Sequence, residues 1–421
     1  MIMVCVLGAA PAWADEPATR DAAAPAAPPA DTRRAKRALL RDQVGADGIE
    51  ETVAEAQLAA ADASAGNPLL MRFDAWRTRL RRRTCLEASL AYTALFQHAH
   101  RSRGRRTAAA GDFDLMLHWH AFGRAGRDRG SLEAHVEWRH DLGARITPSK
   151  LGEEVGSLMD TTEAFNRANL TTKQLYWAQQ FLGGRAEVAV GIIDVALHFF
   201  GTRMTNQNTY FLHPLFSDAP SIDAPSPGLG VALELQLHRS VTLRACASNA
   251  DGTRLDNPLD DLFEVERVYK GAELTWKPCI RGLGYGNYHV GAWHADGAPA
   301  DGVNEGYGFN VSFDQELGDT WFVFGQYDRS RGGRRPVRRA VRGGVGAWVD
   351  ARGADDLFGI GFGQGRPYDR TRRDEWAGEV FYRFQVGPNI QLTPSAQWIV
   401  GTETAGSSPV WVFGLRVRAI L

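Results

Sequence analysis

The chain has 421 residues with a net charge of −1, 45 glycines, 12 tryptophans and 44% hydrophobic residues. This charge gives no global basic field of the kind that attracts nucleic acid, so no nucleic-acid partner is expected. After the first fourteen residues, no stretch approaches the roughly 20 apolar residues that a membrane-spanning helix needs. If the chain enters a bilayer, it must do so as a β-barrel, which also satisfies its backbone hydrogen bonds in hydrocarbon.

The N-terminal residues predict a leader followed by a tether. Residues 1–14 form a short apolar stretch ending in the small-x-small sequence AWA, which predicts a signal peptide cleaved before Asp15. A basic n-region is missing, so a truncated start, or a segment that is no signal, stays open. Residues 15–68 are rich in Ala and Pro and then show a broken helical pattern, typical of a tether with a periplasmic helical segment. The alternative is a solvated tether with only nascent helix.

The alternation of apolar and polar residues in the rest of the chain predicts β-strands. In the first run, Leu86 and Leu90 face one way, while Glu87 and Ser89 face the other. About sixteen such runs follow one another, an even number within the range of outer-membrane barrels. Residues 69–421 are therefore predicted to form an all-β, transmembrane antiparallel β-barrel of about 16 strands, preceded by a short helical extension.

The links between the predicted strands alternate in length. Odd-numbered links are long, as at 98–111, 198–228 and 329–343, whereas even-numbered links are short, as at 239–240. Outer-membrane barrels have this asymmetry, because their periplasmic turns are tight and their external loops are extended. A stack of soluble β-domains has no reason to keep it.

The polarity of the last strand predicts which face meets lipid. Trp411, Phe413 and Leu415 lie on one face, and Arg416 and Arg418 lie on the other. In a membrane barrel the apolar face points outward and the arginines point into the lumen, whereas a soluble sandwich would reverse the two faces. Strand number, link parity and the leader favour the membrane barrel. Tryptophans near strand ends predict an aromatic girdle, namely Trp119, Trp138, Trp276 and Trp411.

Three segments resemble the carbohydrate-selective porins of Gram-negative bacteria, the OprB-like family. They are the paired strands of 174–200 with their Gly-x-x-Asp sequence, the segment 307–330, and the closing hairpin of 379–400 and 413–421. The similarity is diffuse and spread over residues 69–421. It implies a sixteen-stranded channel in the bacterial outer membrane that passes mono- or oligosaccharides. A homotrimer is expected by analogy with other porins of this strand number.

A sugar channel needs polar groups that replace part of a solute's hydration shell yet let it leave. Candidate substrate-binding residues on the lumenal faces and in the long link 198–228 are Glu133, Glu137, Arg139, Arg203, Glu234, Glu379, Arg383, Arg416 and Arg418. The alternative for each is a wall residue held in an ion-pair ladder. The link 198–228 contains amides and aromatic residues suited to a constriction folded into the pore, although a surface loop is the alternative.

Other side chains suggest further chemistry more weakly. His118, His120 and His135 could bind zinc, but lumenal imidazoles more often pair with carboxylates. The arginine run within 334–342 could meet lipopolysaccharide phosphates or attract anionic solutes, and a solvated loop is the alternative.

Catalysis is not expected, because no nucleophile elbow, phosphate loop or spaced metal cluster is present. Neither a cofactor nor a metal is therefore predicted. The rival functions are an anion-preferring pore, a polysaccharide exporter and a barrel-embedded hydrolase. Small hydrophilic solutes and outer-membrane lipid or lipopolysaccharide are the expected partners.

Overall fold

A short helix precedes the strands in the computed structural model, which describes residues 68–123, 128–253, 262–298, 302–349, 356–387 and 389–421. Helix α1 spans Pro68–Thr84, and the Trp119 indole donates to the Thr84 carbonyl oxygen at its end, at 3.0 Å. The predicted leader and all but the last residue of the predicted tether lie outside the described residues. None of the described helices is long and apolar enough to cross a membrane.

Sixteen long strands form one closed antiparallel barrel, which confirms the predicted fold class. Each strand pairs with the next along the chain, and β1 closes the barrel against β17. The first eight strands are β1 Leu86–Ala99, β2 Thr107–Phe122, β3 Gly130–Asp141, β4 Ala168–Phe181, β5 Ala186–Ile193, β6 Gly228–His238, β7 Val241–Asn249 and β8 Val268–Trp276. The remaining strands are β9 Cys279–Ile280, β10 Gly284–Ala295, β11 Gly306–Leu317, β12 Trp321–Arg331, β13 Val337–Val349, β14 Asp356–Pro367, β15 Glu375–Gly387, β16 Ile390–Val400 and β17 Val410–Ile420. The two-residue β9 pairs only with the start of β10, while β8 and β10 are neighbours in the wall.

Short helices lie in two of the links. Helix α2 spans Pro148–Val155 between β3 and β4, and a 3-10 turn at Val195–Leu197 and helix α3 at Pro214–Ser217 lie between β5 and β6.

The two faces of the wall have the predicted polarity. On β17, Phe413 is 50% exposed on the outside, whereas Arg416 and Arg418 are each 1% exposed on the inside. The four predicted girdle tryptophans are exposed on the outside, Trp119 and Trp276 near one end and Trp138 and Trp411 near the other. An apolar exterior around a polar interior fits a bilayer, because hydrocarbon surrounds the apolar side chains while the lumen keeps the polar ones.

The long links gather at one end of the barrel and the short ones at the other, but one length prediction was wrong. The link predicted at 329–343 is reduced to 332–336, because β12 continues to Arg331 and β13 begins at Val337. A β-bulge between Val337 and Arg339 interrupts the alternation there. The bulge and the density of arginines hide a strand that pairs normally with both neighbours.

Candidate functional site

The segment between β5 and β6, residues 194–227, lies inside the barrel and is hereafter called the inner loop. Its side chains are almost completely buried, including Arg203, Asn206, Tyr210 and Phe211. Its hydrogen-bond partners include inward-facing side chains of the wall, as described below. The loop predicted from its length and amide content as a constriction is therefore placed in the lumen rather than on the surface.

Wall carboxylates hold the inner loop by accepting hydrogen bonds from its backbone. Glu273 on β8 accepts from the Phe200 amide at 2.9 Å. Glu379 on β15 accepts from the Leu212 amide at 2.9 Å and from the His213 amide at 2.7 Å. Charge-assisted hydrogen bonds are about twice as strong as neutral ones, so these contacts fix the path of the loop.

The guanidinium of Arg203 adds a side-chain anchor on β11. It lies 2.8 Å from an Asp314 oxygen and 2.9 Å from a Glu316 oxygen. All three side chains are less than one-tenth exposed. Removing these carboxylates would leave a buried, unpaired charge and strongly reduce stability. The ion pairs therefore tie this part of the loop to the wall.

Wall arginines bind the carbonyl groups of the inner loop from the other side. Arg416 on β17 donates to the Gln207 carbonyl oxygen at 2.5 Å and to the Tyr210 carbonyl oxygen at 2.9 Å. Arg383 on β15 faces the Tyr210 ring, with its central carbon 5.7 Å from the ring centroid. The loop is therefore held by acidic anchors on β8, β11 and β15 and by arginines on β15 and β17.

An apolar cluster fills the space between the inner loop and β12 to β15. Phe211 packs against Phe216 of the loop at 5.0 Å between ring centroids, and against Phe381 of the wall at 5.0 Å. Gly361 on β14 faces these rings, and a Cβ atom there would lie 2.9 Å from Phe216. The glycines of β14 thus give the loop room to approach the wall, a role that the sequence pattern did not reveal.

The link 142–167 between β3 and β4 also enters the lumen and contacts the inner loop. The Thr162 hydroxyl donates to the Gln207 side-chain oxygen at 2.8 Å. Glu375 on β15 accepts from the Leu158 amide at 2.7 Å, and the Thr161 hydroxyl donates to Gln97 on β1 at 3.0 Å. Two long links, instead of the single one predicted, therefore narrow the lumen from the long-link end.

The predicted substrate-binding residues fall into two groups. Arg203, Glu379, Arg383 and Arg416 contact the inner loop, as described above. The second group contacts other side chains of the wall and consists of Glu133, Glu137, Arg139, Glu234 and Arg418. Arg139 lies 2.6 Å from Glu137, and Arg244 lies 2.9 Å from Glu234. Arg418 donates to the Thr93 hydroxyl at 3.3 Å. Glu133 contacts His118.

Some inward-facing groups of β3 to β6 keep contact with solvent. The Glu133 side chain is 19% exposed and the Glu234 side chain 24% exposed. Tyr176 lies directly opposite Glu133 on β4, and Glu187 lies directly opposite Glu234 on β5; both are partly exposed. These four side chains, hereafter the open wall, combine an aromatic ring with carboxylates. Tyr176 and Glu187 were missed, although both occur at the inward positions of alternating runs.

The three histidines considered for zinc do not converge on one point. His118 contacts Glu133 and lies 3.0 Å from His120, whereas His135 lies 2.8 Å from Asp114. Three other groups, Asp112, Asp114 and Glu137, place carboxylate oxygens within 4.8 Å of one another. Their neighbours include Arg139 and His135, which supply compensating donors.

Comparison with known proteins finds a matching family model and a similar solved structure. A family model described as carbohydrate-selective porin, OprB family, matches residues 108–419. The high-pH structure of OprB from Pseudomonas putida superposes with a TM-score of 0.64 at 15% sequence identity, covering 83% of this chain and 97% of that one. At this identity the structural likeness concerns the fold alone.

Two porins named AaxA are similar in sequence over part of their length. The protein from Chlamydia abortus is 25% identical over 260 residues, which cover 59% of this chain and 57% of the relative. The protein from Chlamydia felis is 26% identical over 238 residues, which cover 54% of this chain and 52% of the relative. The chain thus spans little more than half the length of these curated relatives.

Proposed function

Because the chain belongs to the OprB family of carbohydrate-selective porins, we propose that it is an outer-membrane channel for passive diffusion of mono- or oligosaccharides and similar small hydrophilic solutes. The observation that carries the proposal is a closed barrel whose polar lumen holds the inner loop on a set of buried charged anchors. A firmly held loop sets a fixed width for the path, so that solutes are selected by size without a cofactor or an energy source.

The open wall is the proposed solute path beside the inner loop. Tyr176 offers a ring face to the apolar side of a sugar, and Glu133 and Glu234 offer hydrogen-bond acceptors to hydroxyl groups. Because these groups keep solvent contact, they can exchange water for solute without breaking the buried anchors. The substrate contacts proposed here are thus Glu133 and Glu234, together with Glu137 and Arg139, which share β3 with Glu133.

Four of the remaining predicted residues are proposed to act on the solute through the inner loop. Arg203, Glu379 and Arg416 hold the loop, and Arg383 packs against Tyr210. These four side chains are proposed to set the position of the constriction rather than contact the solute directly. Arg418 lies on the inner face of β17, where it donates to Thr93 on β1, so it is proposed as a residue of the lumenal wall.

Liposome swelling tests the proposal with neutral sugars of increasing size. Proteoliposomes should swell with monosaccharides, more slowly with disaccharides, and least with larger oligosaccharides. Protein-free liposomes and liposomes with heat-unfolded protein are the controls. Swelling no faster than these controls for every sugar would refute a sugar channel, and uptake confined to anions would favour the anion-preferring rival.

The other rivals have weaker support. A polysaccharide exporter needs a wide lumen, but two long links occupy this one. A hydrolase needs an activated serine; His238 and Ser240 are 3.1 Å apart, but they lie on an exposed turn.

The expected targeting and assembly complete the proposal. Residues 1–14 are proposed as a leader and residues 15–68 as a periplasmic tether, with the barrel in 69–421. A homotrimer is proposed by analogy with other porins of this strand number. Chemical cross-linking of the detergent-solubilised protein tests the trimer, and a ladder that stops at one chain would contradict it.

A further inference from the structure

Three arginines form a row across neighbouring strands near the long-link end of the barrel. Arg329 on β12 is directly opposite Arg339 on β13. Arg339 is in turn directly opposite Arg366 on β14. Adjacent strands lie about 4.8 Å apart, so the three backbone positions follow one another at nearly the same height. Hereafter they are called the arginine row.

The arginine row lies on the outer face of the barrel. Side chains two positions along the same strands point the same way, and among them Val341 is 44% exposed. Farther along β14 on the same face, Phe362 is 49% exposed and packs against the outward-facing Trp376. The row therefore lies where the apolar outer band gives way to the long links, at the height of lipid headgroups.

The charge of the arginine row is only partly balanced by the protein. Arg366 lies 2.8 Å from Asp374. In the part of the chain that the structure describes, no acidic side chain is within ion-pair distance of Arg329 or Arg339. Like charges at directly opposed strand positions repel each other, so the row favours an external anion.

The neighbouring arginines of the same sequence run have protein partners instead. Arg334 pairs with Asp251 at 2.5 Å, and Arg335 pairs with Glu163 at 2.8 Å. Arg342 faces the lumen and contacts Asp328. The fold thus separates Arg334, Arg335 and Arg342, which have acidic partners, from the outward-facing Arg339, which Arg329 and Arg366 on the neighbouring strands extend into a row.

We propose that the arginine row binds the phosphate groups of lipopolysaccharide in the outer leaflet. Guanidinium groups pair with phosphate through two parallel hydrogen bonds, and a lipid with two phosphates can contact a row of them. An arginine facing lipid is costly at the bilayer midplane but tolerated at the interface, which is where the row lies. The inference rests on the proposed outer-membrane location, but not on solute passage.

The test measures binding of fluorescent lipopolysaccharide to the full-length barrel in detergent, with a chelator present to remove bridging divalent cations. The double variant Arg329→Gln and Arg339→Gln should bind roughly 25-fold more weakly, from about fivefold per arginine near an anionic membrane surface. The matched control, Arg101→Gln with Arg370→Gln, removes two exposed arginines from separate external links and should bind as the unchanged protein does. Heat-modifiable migration in gels reports that each barrel is closed.

Two further arms identify the anion. Enzymatic removal of the lipid phosphates should reduce binding by the unchanged protein to the level of the double variant. Millimolar inorganic phosphate should not displace the lipid, and displacement would assign the row to free anions instead. Equal affinities for the double variant and the unchanged protein, or an equal loss in the control, would overturn the proposal. Because swelling is measured separately, failure of this inference leaves the channel function standing.

Discussion

Replacing Glu379 by Ala should loosen the inner loop while the barrel stays closed. The carboxylate accepts hydrogen bonds from two loop amides, those of Leu212 and His213, and is 2% exposed. Strand β15 is held independently by its pairing with β14 and β16. The substitution therefore acts on the docking of the loop and not on the wall.

The size of the effect follows from the two lost hydrogen bonds. Each bond to a charged group contributes about 1.5–3 kcal/mol, so the docked state of this part of the loop should lose about 3–6 kcal/mol. The lower figure corresponds to a local opening equilibrium roughly 100-fold more populated. The contacts of Arg203 and Arg416 still hold the loop elsewhere. Partial undocking around residues 207–217 is therefore expected rather than complete release.

Single-channel recording and hydrogen exchange measure the two consequences. The Glu379→Ala variant should show larger and noisier current in planar bilayers, and its Leu212 and His213 amides should exchange roughly 100-fold faster. The control Glu187→Gln also removes a lumenal carboxylate, but one that accepts from Gln180 on the neighbouring strand. Because Glu187 belongs to the open wall, its loss is expected to alter the current but to leave the exchange of the Leu212 and His213 amides unchanged. Unchanged exchange in Glu379→Ala, or the same increase in exchange in the control, would refute the anchoring role.

Three further predictions address the open wall, the orientation of the barrel and the link 142–167. The double variant Glu133→Gln and Glu234→Gln should shift the reversal potential in a salt gradient in the direction of greater anion preference, because two lumenal carboxylates are lost. An unchanged reversal potential would show that these two carboxylates do not face the permeating ions. Cys85 and Cys279 are exposed near the short-link end, which is proposed to face the periplasm. A polymer-linked maleimide too large for the pore should therefore label them only after the outer membrane is permeabilised. Labelling in intact cells would reverse the proposed orientation. Burial and the nearby Glu153 carboxylate raise the pKa of Asp160 to about 6. The folded form of the link 142–167 should therefore lose stability as pH rises from about 4 to about 6. Asp160→Asn should weaken this dependence in hydrogen exchange corrected for intrinsic rates, and an unchanged profile would contradict the prediction.

The barrel could be predicted because its main signals are local. The alternation in β17 places Phe413 and Arg416 on opposite faces whatever the rest of the chain does. The link at 329–343 failed because a β-bulge near Val337 breaks the alternation, and because arginine at a strand end looks like loop composition. Period-two patterns thus predict faces well, but they lose strand ends where a bulge and charges coincide.

The lumenal site could be predicted only as a set of residue types. Alternation placed Glu379 and Glu133 in the lumen equally well, yet one holds two loop amides and the other keeps contact with solvent. The difference arises from the path of the inner loop across β8 to β17, and that path depends on contacts far apart in sequence, such as Arg203 with Asp314. Similarly, the glycines of β14 weaken the strand pattern, but one of them, Gly361, is the position where Phe216 approaches the wall. A side chain's face follows from its own strand, whereas its role in the lumen follows from which loop reaches it. The distinction between anchors and open-wall residues can therefore be tested by two measurements. Loss of an anchor should change hydrogen exchange of the inner-loop amides, whereas loss of an open-wall carboxylate should change ion selectivity.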